Sequence, residues 1–236
     1  MAKISREKFK SYQNVFDEFT NRNLFRLISR GGFDGLESPV SIGKESNVFA
    51  AKKKNKNVIV KIYRLETCDF NKMYDYIRED PRYLNLKGKK RKIIFAWVQR
   101  EYRNLLKARE FGVSVPTPLA FKDNILVMEF IGEKKIAPKL KDSIPKNMKK
   151  FLDEIIRNMK KLYLAGLVHA DLSAFNILNY KERPVLIDFS QCSPIKVSMA
   201  DSLLERDIRN ISNFFKKHGA KLNEEKIKER ITNNKI

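Results

Sequence analysis

The spacing of apolar residues predicts a chain that contains both strands and amphipathic helices. Val40 to Tyr63 is interrupted by two turns and predicts three strands. The apolar run Ile125 to Phe130 predicts a further strand. Three later segments repeat apolar residues every three or four positions and predict amphipathic helices: Ile93 to Phe111, Met148 to Leu164 and Asp201 to Phe215.

The remaining segments predict an extension and connections. The same three- and four-residue steps from Phe9 to Ile28 predict one helix or two short ones, packed on the main domain. Residues 64–92 show little periodicity and predict a loop with some helix. Pro116 and Pro118 predict a stiff connection, residues 134–146 a polar linker, and the residues after Phe215 a charged tail.

The composition adds one strong signal, an excess of positive charge. The 236 residues include 42% hydrophobic residues, which is enough for a substantial core. Lys and Arg number 49 against 28 Asp and Glu, giving a formal net charge of +21 and a pI near 9.9. Such a field attracts polyanions, nucleic acid above all. The competing interpretation is a basic surface that is only solvated.

Cysteine usage and hydropathy exclude several classes of protein. Cys68 and Cys192 stand alone, so neither a disulfide framework nor a zinc site is predicted. The first ten residues lack the apolar core of a signal peptide, and no apolar run approaches the ~18 residues that span a bilayer. We therefore expect a reducing, cytoplasmic location.

The stretch from Gly166 to Gln191 has the strongest chemical pattern in the chain. Turn residues at 181–184 lie between two short apolar runs, which predicts a loop followed by a β-hairpin. Asp171 and Asn176 fall on the loop, and Asp188 follows the apolar residues of the second strand. A carboxylate in that position is costly unless something pairs with it.

His169 to Asn176 has the form H-x-D-x-x-x-x-N, and together with the strand ending at Asp188 this is typical of protein-kinase-like phosphotransferases. Asp171 can accept the proton of an attacking hydroxyl. Asn176 and Asp188 supply the hard oxygen ligands that magnesium prefers. The competing interpretation is a structural hairpin with an Asx turn and a capping aspartate.

Three further positions predict a site for nucleotide phosphates. A strand, a turn with Gly43 and Ser46, and another strand can point backbone N–H groups at phosphates. Lys61 is a lone cation in an apolar strand, the position of a phosphate-pairing lysine, although isolated strand lysines are usually solvated edge residues. Glu101, on or near the apolar face of the 93–111 helix, is the candidate to hold Lys61; a surface pair is the alternative.

These motifs together resemble the RIO family of atypical protein kinases. The matching segments, in order, are IGKESNVF, VKIY, REYRNL, MEFIGE, LVHADLSAFNIL and LIDFSQ. They cover about Ser38 to Phe215, and the HADLS form of the loop resembles the first branch of the family. The resemblance implies an α+β, two-lobed protein-kinase-like fold. Its N-lobe (37–130) is mostly β, its C-lobe (131–236) is mostly α and lacks an activation loop, and a helical extension (1–36) precedes both.

The resemblance also implies roles for individual residues. Asp171 is the proton acceptor, Asn176 and Asp188 hold Mg²⁺, and Asp188 is a possible site of an aspartyl phosphate. ATP binds between the lobes, with Lys61 paired to Glu101 and the backbone of Glu129 and Ile131 at the adenine. The full set of implied nucleotide contacts is Gly43, Lys44, Ser46, Val48, Lys61, Glu101, Glu129 and Ile131.

Three functions remain open. The first, implied by the resemblance, is an ATP- and magnesium-dependent serine/threonine kinase and ATPase in maturation of the small ribosomal subunit, with that precursor and its RNA as partners. The second is a small-molecule phosphotransferase of the aminoglycoside or choline kinase kind, for which +21 is an unusual charge. The third is a catalytically silent RNA-binding scaffold. The joint presence of the lysine, the glutamate and the three loop residues argues against this last function.

Overall fold

The structure is a computed structural model and describes residues 16–80, 83 and 85–233. It divides into two compact units. Among the described residues, the first unit consists of 16–78, 83, 85–102 and 118–130. The second consists of 79–80, 103–117 and 131–233.

The first unit is built on a five-stranded antiparallel sheet, with strand order β1-β2-β3-β5-β4. The strands are β1 (Gly35–Ile42), β2 (Ser46–Lys53), β3 (Lys56–Tyr63), β4 (Pro118–Lys122) and β5 (Ile125–Glu129). The three strands predicted between Val40 and Tyr63 and the strand from Ile125 are therefore confirmed. In this order β3 is central, and it is buried from Val58 to Tyr63.

Three helices accompany the sheet: α1 (Glu18–Ser29), α2 (Phe70–Ile77) and α3 (Lys90–Glu110), of which α3 continues into the second unit after Tyr102. Asp17 caps α1 by accepting the N–H of Thr20 at 3.0 Å. The apolar side of α1 joins the sheet in one core with Phe33, Phe49 and Val127 among its members. A helical extension is thus confirmed over 18–29, whereas positions 9–15 of the predicted helix lie outside the described residues.

The second unit is mainly helical. Its helices are α4 (Met148–Leu164), α5 (Ala200–Lys217) and α6 (Glu224–Thr232). Two small antiparallel ribbons pair β6 (Leu167–Val168) with β9 (Ser193–Pro194), and β7 (Ile177–Tyr180) with β8 (Arg183–Leu186). Within this unit α4 packs against α6, β6 and β8. The predicted helices at 148–164 and 201–215 and the predicted hairpin are confirmed.

Three local predictions were wrong. Residues 118–122 form β4, because a proline is tolerated as the first residue of a strand at the edge of a sheet. By contrast, the helix expected within the 64–92 loop is confirmed as α2, whose N-terminus is capped by the Asp69 side chain. The hairpin turns on Lys181 and Glu182 alone, both at positive φ, so the two residues after them belong to β8. The charged tail contains α6, held by buried Ile227 and Ile231 at i,i+4 spacing.

The connection from the hairpin to α5 is short, as expected for a C-lobe that lacks an activation loop. Residues 192–199 hold only β9 and a turn before α5 begins at Ala200. Among the described residues, no helix has the length and apolar character needed to cross a bilayer.

Candidate active site

Lys61 and Glu101 form a buried ion pair in the first unit. Lys61 Nζ lies 2.9 Å from Glu101 Oε1 and 3.2 Å from Oε2. Lys61 is 7% exposed and Glu101 is 1% exposed, so neither is the solvated surface residue of the competing interpretations. The Tyr63 hydroxyl donates to Glu101 Oε2 at 2.6 Å, and Lys61 Nζ lies 4.9 Å from the centre of the Tyr63 ring.

The turn between β1 and β2 is tight at Gly43. Its N–H donates to the Ser46 carbonyl at 3.0 Å, and a Cβ at this position would meet that same oxygen at 3.1 Å. The Gly43 N–H is therefore already used inside the turn. Lys44 is exposed, and its carbonyl accepts the hydroxyl of Thr67 at 2.6 Å. Val48, half-buried on β2, lies directly opposite Lys61 in the strand register.

The predicted adenine-contacting residues fall in different units. Glu129 is the last residue of β5 in the first unit, half-buried and in register with Val58 of β3. Ile131 begins the last segment of the second unit, and its carbonyl accepts the N–H of Ala137 at 2.8 Å.

In the second unit Asn176 lies against Asp171. Its side-chain nitrogen donates to the Asp171 backbone carbonyl at 2.8 Å and to the carboxylate oxygen Oδ2 at 3.1 Å. The Asn176 backbone carbonyl accepts the N–H of Ile187 at 3.0 Å, which joins the loop to the end of the second hairpin strand. The side-chain oxygen of Asn176 takes no part in these contacts, and it is the atom suited to a metal ion.

Asp188 follows directly in a left-handed backbone conformation, with φ of +64°. Aspartate is one of the few residues other than glycine that adopt this conformation readily. Its Oδ1 accepts the hydroxyl of Ser190 at 2.7 Å, which helps to fix the carboxylate. The half-buried Asp188 thus has an oriented side chain.

A buried aromatic contact links the two carboxylate-bearing segments. His169 Nε2 lies 3.1 Å from the Ile187 carbonyl, a contact in which Nε2–H is the donor. The His169 ring packs edge-on against Phe189, with ring centres 4.8 Å apart. Because His169 precedes Asp171 by two residues and Phe189 follows Asp188, this contact restrains both carboxylates relative to each other.

The loop that carries Asp171 is held by Asp207 on α5, a residue that the sequence patterns did not single out. Asp207 Oδ2 accepts the N–H of Ala170 and Oδ1 accepts the N–H of Leu172, both at 2.7 Å. Ala170 has φ of +67°, and its carbonyl accepts from Arg206. Both peptide groups flanking Asp171 are therefore fixed by consecutive residues of one helix.

Asp207 is 1% exposed, and burial raises its pKa to about 7. The N–H groups of Leu172 and Ala170 and the charge of Arg206 act in the opposite direction, and Asp171 adds a further upward push. The sequence does contain a signal for this residue. Asp207 falls on the apolar side of α5 together with Leu203, Leu204 and Ile211, where a carboxylate needs partners.

The donor set fits a magnesium ion shared with a ligand better than a closed protein cage. Among the residues that the structure describes, no cluster of three His, Cys, Asp or Glu side chains exists. Mg²⁺ is usually held by one or two carboxylates, with waters and substrate phosphates as the other ligands. Asn176 and Asp188 provide such a partial set, and the ion would supply charge neutralisation for phosphates.

A buried lysine–glutamate pair on a β-rich unit and an Asp–Asn–Asp set on a helical unit define a protein-kinase-like phosphotransferase. The fold agrees with this class. The Rio2 kinase from Chaetomium thermophilum matches with a TM-score of 0.72 and 22% identity over 91% of this chain and 68% of that one. A second structure of that kinase, an ADP/Mg²⁺-phosphoaspartate complex, matches with a TM-score of 0.68 and 24% identity over 91% and 67%.

Sequence comparison then gives the family. A RIO domain model matches residues 47–228. The RIO-type serine/threonine-protein kinase Rio1 of Methanocaldococcus jannaschii is 41% identical over 98% of this chain and 80% of that protein. Its namesake in Haloferax volcanii is 37% identical over 96% and 79%. The chain belongs to the RIO family of serine/threonine-protein kinases, as its motifs predicted.

Proposed function

We propose that this RIO-family kinase binds ATP and Mg²⁺ and transfers the γ-phosphoryl group, acting both as a serine/threonine kinase and as an ATPase. The observation that carries the proposal is the Asp171–Asn176 contact, held next to the oriented Asp188. Lys61, fixed by Glu101, is the cation for the nucleotide phosphates. Asn176 and Asp188 are the magnesium ligands.

In transfer to a hydroxyl, Asp171 accepts the hydroxyl proton while the oxygen attacks the γ-phosphorus. The bond between the γ-phosphorus and the β–γ bridging oxygen breaks, and ADP leaves with that oxygen. Asp171 suits this role because it is only half-buried, whereas the peptide groups on both sides of it are fixed by Arg206 and Asp207.

The Asp188 carboxylate is a second possible acceptor of the γ-phosphoryl group. Its carboxylate oxygen attacks the γ-phosphorus, ADP departs, and an aspartyl phosphate forms. Water then attacks, gives its proton to Asp171 and releases inorganic phosphate, which restores the carboxylate. Support comes from the Rio2 kinase structure with ADP, Mg²⁺ and a phosphoaspartate, and from the fixed orientation of Asp188 by Ser190.

Labelling with ATP radioactive at the γ-phosphate tests this route. An acyl phosphate is labile to hydroxylamine and base, whereas a phosphoserine resists hydroxylamine. We expect a hydroxylamine-sensitive fraction that is absent from Asp188→Asn. Asp171→Asn should instead accumulate this fraction, because it keeps the acceptor and loses the base for its hydrolysis.

Asp201→Asn is the matched control, since Asp201 is an exposed aspartate of α5, and it should label like the parent protein. Nucleotide binding must be measured for Asp188→Asn, because losing a charged magnesium ligand also weakens ATP binding. Label that resists hydroxylamine entirely and maps to serine would exclude the aspartyl phosphate and leave only the hydroxyl route.

We further propose the small ribosomal subunit precursor and its RNA as partners, in the cytoplasm. The net charge of +21 and the family membership support this. Affinity for the precursor should fall linearly with the logarithm of salt concentration, as counterion release requires. Binding with no preference for the precursor over heparin or bulk RNA would contradict this partner.

A further inference from the structure

A basic groove lies between α4 and α6 in the second unit. A depression of about 480 Å³ is lined by Asn147, Lys149, Lys150, Asp153, Arg157 and Arg230. A second, of about 310 Å³, shares the two arginines with the first and adds Lys160. The shared residues make the two depressions one continuous surface, which we call the α4–α6 groove.

Three of the groove's cations follow one side of α4. Lys149, Arg157 and Lys160, with Asp153 between the first two, succeed one another at four- and three-residue steps, so their side chains emerge on the same face. The opposite face holds the buried apolar residues of α4. From Lys149 to Lys160 the helix rises about 17 Å, at about 1.5 Å per residue. The groove is therefore an extended stripe of charge.

The beginning of α4 adds to this positive potential. A helix N-terminus has partial positive charge and normally favours acidic residues in its first turn. The first turn of α4 has none and instead contains Lys149 and Lys150. Across the described part of the chain, neither lysine is paired with a carboxylate. Lysines in this position lower the stability of the helix and favour the binding of an anionic ligand.

Little in the groove offsets its charge. Asp153 is the one carboxylate among the lining residues of the two depressions, and it lies 2.9 Å from Arg230. Arg157 has a longer contact with Glu154 of the same helix, at 3.7 Å. Five lining cations therefore face one lining carboxylate.

The chemistry of the lining selects the kind of anion. Protein interfaces depend on aromatic and aliphatic anchors, and single-stranded nucleic acid binds by stacking bases on aromatic rings. Among the described residues that line the groove, none is aromatic and one, Ile156, is aliphatic. A row of lysines and arginines without stacking partners suits a regular series of phosphates.

We propose that the α4–α6 groove binds the phosphate backbone of double-stranded RNA, independently of base sequence. The proposal rests on the RNA partner suggested above, but its test requires neither ATP nor phosphoryl transfer. The probe is a labelled RNA duplex of arbitrary sequence, titrated at several salt concentrations. The test variant is Lys149→Gln/Lys150→Gln.

Each lost phosphate contact lowers the slope of log affinity against log salt by about one. The double variant should lose about two units of slope, which corresponds to roughly 100-fold weaker binding at 0.1 M salt and almost no difference at 1 M. Lys53→Gln/Lys56→Gln, in the β2–β3 turn, removes the same charge elsewhere and should keep the parent slope. Asp153→Asn removes the opposing carboxylate and should tighten binding.

An unchanged slope of log affinity against log salt in the Lys149/Lys150 variant would overturn the proposal. An equal loss of slope in the Lys53/Lys56 control would also overturn it, because the duplex would then be attracted by the charge of the whole protein and not by the groove. Polyglutamate serves as the protein-like polyanion. If polyglutamate at equal charge binds as tightly as the duplex and loses the same slope, the groove is a site for acidic proteins and the RNA assignment fails. Thermal unfolding of each variant checks that the fold is retained.

Discussion

Replacing Lys61 with methionine separates the structural role of the buried ion pair from its chemical role. The sequence alone suggests that a strand lysine adds little to the core, so that its loss would spare the fold. The structure contradicts this, because Glu101 is 1% exposed and would keep a buried charge after its cation is removed. Leaving one partner of such a pair alone costs about 3–5 kcal/mol. The Tyr63 hydroxyl still donates to Glu101, so we expect about 3 kcal/mol.

The double variant Lys61→Met/Glu101→Gln removes both charges and keeps an amide oxygen for Tyr63. Its stability should recover most of the loss, whereas ATP turnover should stay abolished in both variants. Urea unfolding is the measurement. Trp97, the single tryptophan, is 2% exposed and lies one helical turn before Glu101 on α3, so its fluorescence reports the unit in question.

Two results would refute this reasoning. A loss of less than about 1 kcal/mol in the free energy of unfolding of Lys61→Met would mean that the Lys61–Glu101 pair contributes no more than an ordinary exposed ion pair. A double variant no more stable than Lys61→Met would show that the unpaired carboxylate is not the cause. Normal ATP turnover in a folded Lys61→Met would remove the lysine from the proposed phosphate site.

Two further predictions concern buried groups. Asp207→Asn leaves one of the Ala170 and Leu172 N–H groups without an acceptor and should cost about 1–3 kcal/mol in denaturant unfolding. Since burial raises the pKa of Asp207 to about 7, the folded protein keeps a proton that the unfolded chain releases, and stability from this group is lost as pH rises from about 4 to 7. The advantage of the parent over Asp207→Asn should therefore be largest near pH 4 and shrink toward pH 7, and a constant advantage would contradict the raised pKa. Burial raises the pKa of the Cys68 thiol to about 12, and Cys192 is fully buried, so a thiol reagent at pH 7.5 should label both only after unfolding; rapid labelling of the native protein would contradict their burial.

Local patterns were sufficient to predict most elements of the fold. The boundaries of α4 match the apolar periodicity residue for residue, because one face of this helix is uniformly buried. β4 was missed because Pro116 and Pro118, the latter its first residue, point to a connection, and only the position of the strand at the sheet edge makes Pro118 acceptable. α6 was missed because two buried isoleucines are too few to produce a visible period among so many charges.

The site was predictable where its residues belong to a recognisable motif. Asp171, Asn176 and Asp188 share one loop and hairpin, and Lys61 and Glu101, 40 positions apart, each occupy a position typical of kinases. Tyr63 and Asp207 belong to no such motif, and they act through hydrogen bonds to residues 38 and 35 or more positions away. Those contacts depend on packing between elements, which periodicity does not describe.

The hydrogen bonds between Asp207 and the loop that carries Asp171 also set an order of events during synthesis. Asp207 is made 37 residues after Ala170, so the nascent chain displays the H-x-D motif before the residue that fixes it exists. At about 5–20 residues per second the gap is roughly 2–7 s, and α5 must then fold and dock. A chain interrupted before Asp207 therefore contains every residue of the phosphotransfer motif and still lacks a set catalytic loop. Fixing of the catalytic loop has to wait until α5 is made.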